Sequence, residues 1–415
     1  MCQNAGMLKK AKKRIYLDTA ASTPLDPRVV KAMTPYLSGS FGNPSSLHQE
    51  GVMAQTALEE ARKRIATVLG AHADEIIFTS GGTEGDNLAI LGVARGLLAR
   101  NKIKKPGHII TTAIEHRAIL EPCAQLEKEG WVVTYVSVGK DGLVKLDELK
   151  KALRPDTVLV SIMYANNEIG TIEPIKEVAK ILRHYRKEQG EDSTPSNSPF
   201  VKGERLPYLH TDACQAPRFL PLGVEQLGVD LLTINGSKIY GPKGTGVLFA
   251  RRNTFLEPLA YGGGQERGLR SGTEPVAGIV GLATALEIAN KEREKESARL
   301  SKLRDYFIAE LQKLPGVKIN GSETERLPNN INATFEVFGE LLVLRLDAAG
   351  IACSTGSACS AHHKDDAHVI ISLGKTKVDA DNTVRFTLGR ETSLADIKYT
   401  VKVIREILEK KEIII

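Results

Sequence analysis

The chain has 415 residues, 42% of them hydrophobic and 26% charged, a composition expected of a globular protein large enough for two or more domains. Its formal net charge is only +6, with Lys and Arg interleaved with Asp and Glu throughout, and no basic stripe alternates with aromatics, which argues against nucleic-acid binding. No apolar run reaches the length of a membrane span, and the basic opening MCQNAGMLKKAKKR leads into IYLDTAAS without a signal-peptide hydrophobic region.

Cys2, Cys123, Cys214, Cys353 and Cys359 form no CxxC pair, a pattern that points to a reducing, cytoplasmic compartment and not to a disulfide framework. From residue 75 onward, seven short apolar runs read as strands: 75–79, 108–113, 131–138, 157–163, 208–212, 229–234 and 246–250. Helix-like stretches such as 86–100 and 120–130 separate most of them. The alternation predicts an α/β fold, with a mainly parallel seven-stranded sheet between helices and ligands bound beyond the carboxyl ends of the strands.

The polar, Gly-, Pro- and Ser-rich segment 187–207 reads as a flexible surface insertion. After EPVAGIVGLATALEIAN the chain becomes a charged helix, KEREKESARLSKLRDYFIAELQKL, followed by a second, shorter set of strands and helices. A boundary is therefore expected near Asn290, between a large domain (26–290) and a smaller α+β domain (1–25 and 291–415).

Reactive residues collect at the strand ends. FTSGGTEGDN closes a strand and opens a helix, so the N–H groups of Gly82 and Thr83 offer an anion site. TTAIEHRAIL places His116 beyond the next strand, MYANNEIGT places Asn166 and Asn167, and LHTDACQ places Asp212 and Gln215. INGSKIYGPKGTG puts Lys238 and Lys243 where an apolar strand surfaces. Each has a plainer reading alone: a turn-solvating lysine, a structural histidine, a helix-capping aspartate. Together they suit pyridoxal phosphate, with its phosphate on Gly82 and Thr83, ring nitrogen facing Asp212, aldehyde on Lys238 and ring face against His116.

These motifs, with IYLDTAASTPLDPRV, FGNPSSLHQEG, GGGQERGLRSGTEPV, STGSACS and VRFTLGR, occur in an order that resembles the cysteine desulfurases, a branch of the class V aminotransferases among fold-type I pyridoxal-phosphate enzymes. The resemblance spans nearly the whole chain. It implies that Lys238 bonds the cofactor, that Asp212 faces the ring nitrogen, and that Gln215 and Asn167 lie near the ring hydroxyl. It further implies that His116 stacks on the ring and shuttles protons, and that Gly82, Thr83, Asn235 and Ser237 hold the phosphate. Thr273 would reach the phosphate of a neighbouring subunit, which implies a homodimer. Arg385 would clamp the substrate carboxylate, with Asn167 also near the substrate and Asn43 assisting.

Cys359 would be the persulfide-forming cysteine, taking sulfur from L-cysteine, releasing L-alanine and passing the sulfur to an acceptor protein such as an iron–sulfur scaffold. Cys353 and Cys214 read as packing residues.

Two features depart from the family pattern. Ser237 stands where the family usually has histidine before the lysine, from which a weaker hold on the cofactor is expected, with the chemistry retained. SAHHKDDAHVI, after Cys359, is more charged than usual. His362, His363 and His368 lack the second nearby thiol of a structural zinc set, so no metal site is expected. Selenocysteine lyase, a plain class V aminotransferase that does not need Cys359, and a catalytically silent scaffold of an iron–sulfur assembly complex remain as alternatives.

Overall fold

The computed structural model describes residues 14–189, 206–355 and 367–409. All seven expected runs are strands of one sheet. Its spatial order is Ile76–Thr79, Gly246–Ala250, Leu231–Asn235, Tyr208–Asp212, Thr157–Ser161, His108–Thr112 and Val132–Val136. Only Gly246–Ala250 runs antiparallel to its neighbours. The inner strands are buried on both faces, which is why they read as continuous apolar runs, whereas the edge strand Val132–Val136 is partly exposed. The six strands that share a direction therefore end on one side of the sheet.

The helix expected from residue 86 begins at Gly82, since small residues can open its first turn directly after the strand. The next helix, Arg117–Lys128, begins where the His116 side chain caps it.

The charged stretch after Glu274 forms one 36-residue helix, Val276–Leu311, about 54 Å long at the usual rise per residue. Its first half packs Ile279, Leu282, Ala283 and Leu286 into the core beneath the large sheet. Its second half places Leu300, Phe307 and Leu311 in another core, together with Ile15 and Leu17. The expected boundary at Asn290 thus falls inside a continuous helix, and the chain changes core with no linker.

Around the second core, Ser354–Thr355, Thr383–Thr387, Asn330–Thr334 and Lys318–Ile319 form an antiparallel sheet in that order. The strand Ile15–Tyr16 pairs parallel with Ile351–Ala352. Most of the expected insertion, at 190–205, and the segment that carries Cys359, at 356–366, lie outside the described residues. Among the described residues no helix is long and apolar enough to cross a membrane.

Phe307 is fully buried and meets Phe386 edge to face at 5.2 Å. Phe307→Ala removes that contact and leaves a cavity, so the second core is expected to lose about 3–5 kcal/mol, measured by urea unfolding.

Candidate active site

The strand ends converge on a cavity of about 340 Å³. At one end the Gly82–Ala99 helix begins with no side chain capping it, so its first backbone N–H groups remain available to an anion. A Cβ on Gly82 would stand 2.7 Å from the Cys214 sulfur, so no larger residue fits there. It would also lie 3.5 Å from Asn235 Nδ2, which brings that amide to the helix start.

Asn235 Oδ1 accepts both the N–H and the hydroxyl of Ser237, each at 3.0 Å. The Ser237 hydroxyl is thereby committed to Asn235, and Ser237 lines an adjoining surface cavity that shares Gly82, Thr83 and Asn235 with the first. Lys243, on the following turn, is exposed and lines this second cavity.

Lys238 ends the one-turn helix Gly236–Lys238, directly after the Leu231–Asn235 strand. Gly236 permits that turn, because a Cβ there would come within 2.6 Å of Thr245 Oγ1 and 2.7 Å of the Pro242 carbonyl oxygen. Lys238 Nζ donates to the Ala21 carbonyl at 2.5 Å and lines the cavity. Asp212 ends its strand, is 8% exposed, and accepts the Cys214 N–H at 2.8 Å. Gln215 also lines the cavity, its amide donating to the Ala20 carbonyl at 3.1 Å.

His116 Nδ1 accepts the Ala118 N–H at 3.1 Å. A backbone N–H can only donate, so the neutral imidazole carries its proton on Nε2. Burial lowers the His116 pKa against the pull of Asp212, with Lys238 adding to the lowering, which favours this neutral form.

Arg385 enters from the smaller sheet and is 2% exposed. Its Nη1 donates to the Asn167 carbonyl at 3.0 Å and its Nη2 to Asp18 at 2.9 Å, while Nε has no hydrogen-bond partner among the described residues. Asn166 is committed to its own turn, accepting the N–H groups of Glu168 and Ile169, so of the two asparagines it is Asn167 that lines the cavity.

These residues fit pyridoxal phosphate. The uncapped helix start and the Asn235 amide suit its phosphate, Asp212 suits its ring nitrogen, and Lys238 suits its aldehyde. The Arg385 guanidinium lining the cavity suits a carboxylate.

Two expected residues stay outside this chain's own cavity. Thr273 is exposed, and Asn43 is exposed with its side chain turned back to accept the Ser45 N–H at 2.9 Å. Cys359 lies outside the described residues. The flanking residues Thr355 and Ala367 line a smaller cavity of about 60 Å³, which shares Glu168 with the larger one. Cys353 is packed against the second core and its thiol is pushed up to about 12 by burial, and burial likewise raises the Cys214 thiol. Both behave as packing groups.

His362 and His363 lie outside the described residues, whereas His368 lines the cavity, its Nε2 bonded to the Glu115 carbonyl at 3.0 Å. Among the described residues no cluster of His, Cys, Asp and Glu could hold a metal. Reading by strand ends overlooked Asp18, Asp86 and Glu115. Only Glu115, beside His116, carried a local signal.

The family model for aminotransferase class-V matches residues 15–188 and 204–400. The chain is 49% identical to a cysteine desulfurase IscS of Dictyoglomus turgidum over 401 residues, 96% of this chain and 95% of that protein. It is 45% identical to a cysteine desulfurase IscS of Methanosarcina thermophila, over 96% of this chain and 93% of the other. Among solved structures, a NifS-like protein superposes with a TM-score of 0.85 at 37% identity, covering 96% of this chain and all of that one. SspA, solved in complex with cysteine, superposes with a TM-score of 0.75 at 36% identity, covering 91% of this chain and 99% of that one.

Glu115 is fully buried beside the cavity, accepting the Thr112 hydroxyl at 2.7 Å and the Met163 N–H at 3.0 Å. Burial raises its pKa from 4.5 to about 8, against those hydrogen bonds. The folded protein therefore binds a proton that the unfolded chain releases near 4.5. The resulting stabilisation is complete at low pH and lost as pH rises through about 8. Glu115→Gln is expected to flatten the decline of melting temperature across that window. Part of the decline should persist, because burial raises Glu173 to about 8 as well.

Proposed function

The chain belongs to the class V aminotransferase family and is a pyridoxal-phosphate-dependent cysteine desulfurase, in which we propose that Cys359 takes the sulfur of L-cysteine as a persulfide and releases L-alanine. The observation that carries the residue assignment is the convergence of Lys238, Asp212, His116 and Arg385 on one cavity; Thr355 and Ala367, which flank the Cys359 segment, line a smaller cavity that shares Glu168 with it.

Lys238 holds the cofactor's aldehyde, Asp212 its ring nitrogen, and Gly82, Thr83 and Asn235 its phosphate, with Ser237 bracing Asn235. Gln215 and Asn167 stand near its ring hydroxyl. When bound, pyridoxal phosphate supplies the electron sink that loosens bonds at the substrate's α- and β-carbons.

Arg385, which lines the cavity, receives the substrate carboxylate on its guanidinium group. His116 would stack on the ring and donate from Nε2; its engaged Nδ1 leaves proton acceptance to the Lys238 amine. Cys359 attacks sulfur as a thiolate: the new S–S bond forms as the substrate's C–S bond breaks, and the vacated carbon gains a proton. The net exchange is L-cysteine plus a thiol giving L-alanine plus a persulfide, with no external oxidant.

Thr273 reaches the cavity of a second subunit, and Asn43 assists at the substrate end. The exposed apolar residues Leu37, Phe41 and Leu47 support a homodimer. A cytoplasmic location and delivery of sulfur to an acceptor such as an iron–sulfur scaffold complete the reading.

Peptide mass mapping after incubation of the cofactor-loaded protein with L-cysteine, without reductant, tests it. An added sulfur on the Cys359 peptide together with released alanine is expected. Alanine without that sulfur would mean another nucleophile, and reaction with L-selenocysteine alone would make the protein a lyase of the selenium substrate. Cys359→Ser is expected to abolish the persulfide while leaving the absorbance of bound cofactor unchanged. Arg385→Lys should raise the KM for L-cysteine by about 10- to 100-fold, the equivalent of one lost charge-assisted hydrogen bond, read from initial rates of alanine release.

A further inference from the structure

Asp86 brings a further carboxyl group to the Asp212 end of the cavity, and none of the roles above employs it. It lies in the second turn of the Gly82–Ala99 helix, is 1% exposed and lines the cavity. A hydrogen bond from the Thr233 hydroxyl reaches the carboxyl group, yet Oδ1 has no hydrogen-bond partner among the described residues.

The groups packed around it supply no positive charge. His210 Nε2 is 3.7 Å from Oδ1 and is already bonded to Thr233 Oγ1 at 3.0 Å. Burial holds the His210 pKa down at about 3, so this imidazole is neutral. The remaining neighbours are Asp212 and Glu115, with the Cys214 thiol nearby. Two carboxylates in one dry pocket cannot both keep a charge, and the charge settles where the stronger donors are. Asp212 has a backbone N–H at 2.8 Å and Asp86 has only a hydroxyl, so Asp86 is the one that keeps a proton.

We propose that Asp86 is a positioning residue that remains a neutral carboxylic acid beside Asp212, so that Asp212 alone carries the negative charge facing the cofactor's ring nitrogen. The proposal rests on the cofactor placement given above. Burial and the Asp212 charge both raise the Asp86 pKa, in agreement with the geometry. The arrangement gives the ring nitrogen one anionic partner and avoids an unpaired charge under the helix start that receives the phosphate.

Infrared difference spectra of the full-length protein, wild type minus Asp86→Asn, test it at neutral pH without cofactor. A carboxylic-acid carbonyl band lost in the variant is expected, and ionised-carboxylate bands in its place would overturn the assignment. Because Asn is also neutral, the variant should bind pyridoxal phosphate within about threefold of wild type and with the same absorbance; weakening beyond about tenfold would mean that a charge had been removed. If Asp86→Asn fails to fold, Asp86→Leu serves the same subtraction. The infrared band reads Asp86 whether or not alanine is released, so a failure of sulfur transfer stays distinguishable from a failure of this assignment.

Discussion

The buried Arg385 side chain ties together everything that forms the cavity. It extends from the smaller sheet, pairs with Asp18 near the start of the described chain, and donates to the Asn167 carbonyl beyond a strand of the large sheet. Stripping water from a guanidinium is expensive, and one carboxylate with one carbonyl offsets only part of that cost. The Nε is left unsatisfied and shielded from solvent among the described residues. Both cores therefore contribute to one binding site, and the Val276–Leu311 helix, which belongs to both, keeps them in register.

Around this clamp the cavity sorts its charges by burial and donor count. Glu115 and Asp86 are deep in the protein and are pushed towards their neutral forms. The His116 imidazole is neutral and has its proton on the nitrogen opposite its capping bond. Two of the basic residues lining the cavity, Lys238 and Arg385, approach from different sheets. Such a distribution suits a phosphate and a carboxylate held at separate places, without excess negative charge between them.

The fold was legible in the sequence because a buried parallel strand has to be apolar on both faces, and all seven such runs became strands. Lys238, Asp212 and His116 were legible for a related reason: a polar residue at the end of an apolar strand needs a purpose. Of Asp18, Asp86 and Glu115, only Glu115, next to His116, gave a local signal. Asp86 sits within the helical pattern DNLAILGVA, where an acid near the helix start reads as ordinary helix chemistry, and Asp18 acquires its partner 367 positions away in sequence. The charged helix after Asn290 was also legible, but not that it continues unbroken from the apolar helix before it, so that the chain changes core inside one element.

By itself the sequence determined the order of the strands and helices and which polar residues stand at the strand ends that line the cavity, because these depend on local periodicity and on side-chain chemistry there. Tertiary structure alone decided which hydrogen bonds those residues make. It left an Arg385 donor open, turned Ser237 towards Asn235, set the His116 tautomer and buried Asp86 beside Asp212. Such outcomes depend on desolvation and on partners distant in sequence, and neither exists until the chain has packed.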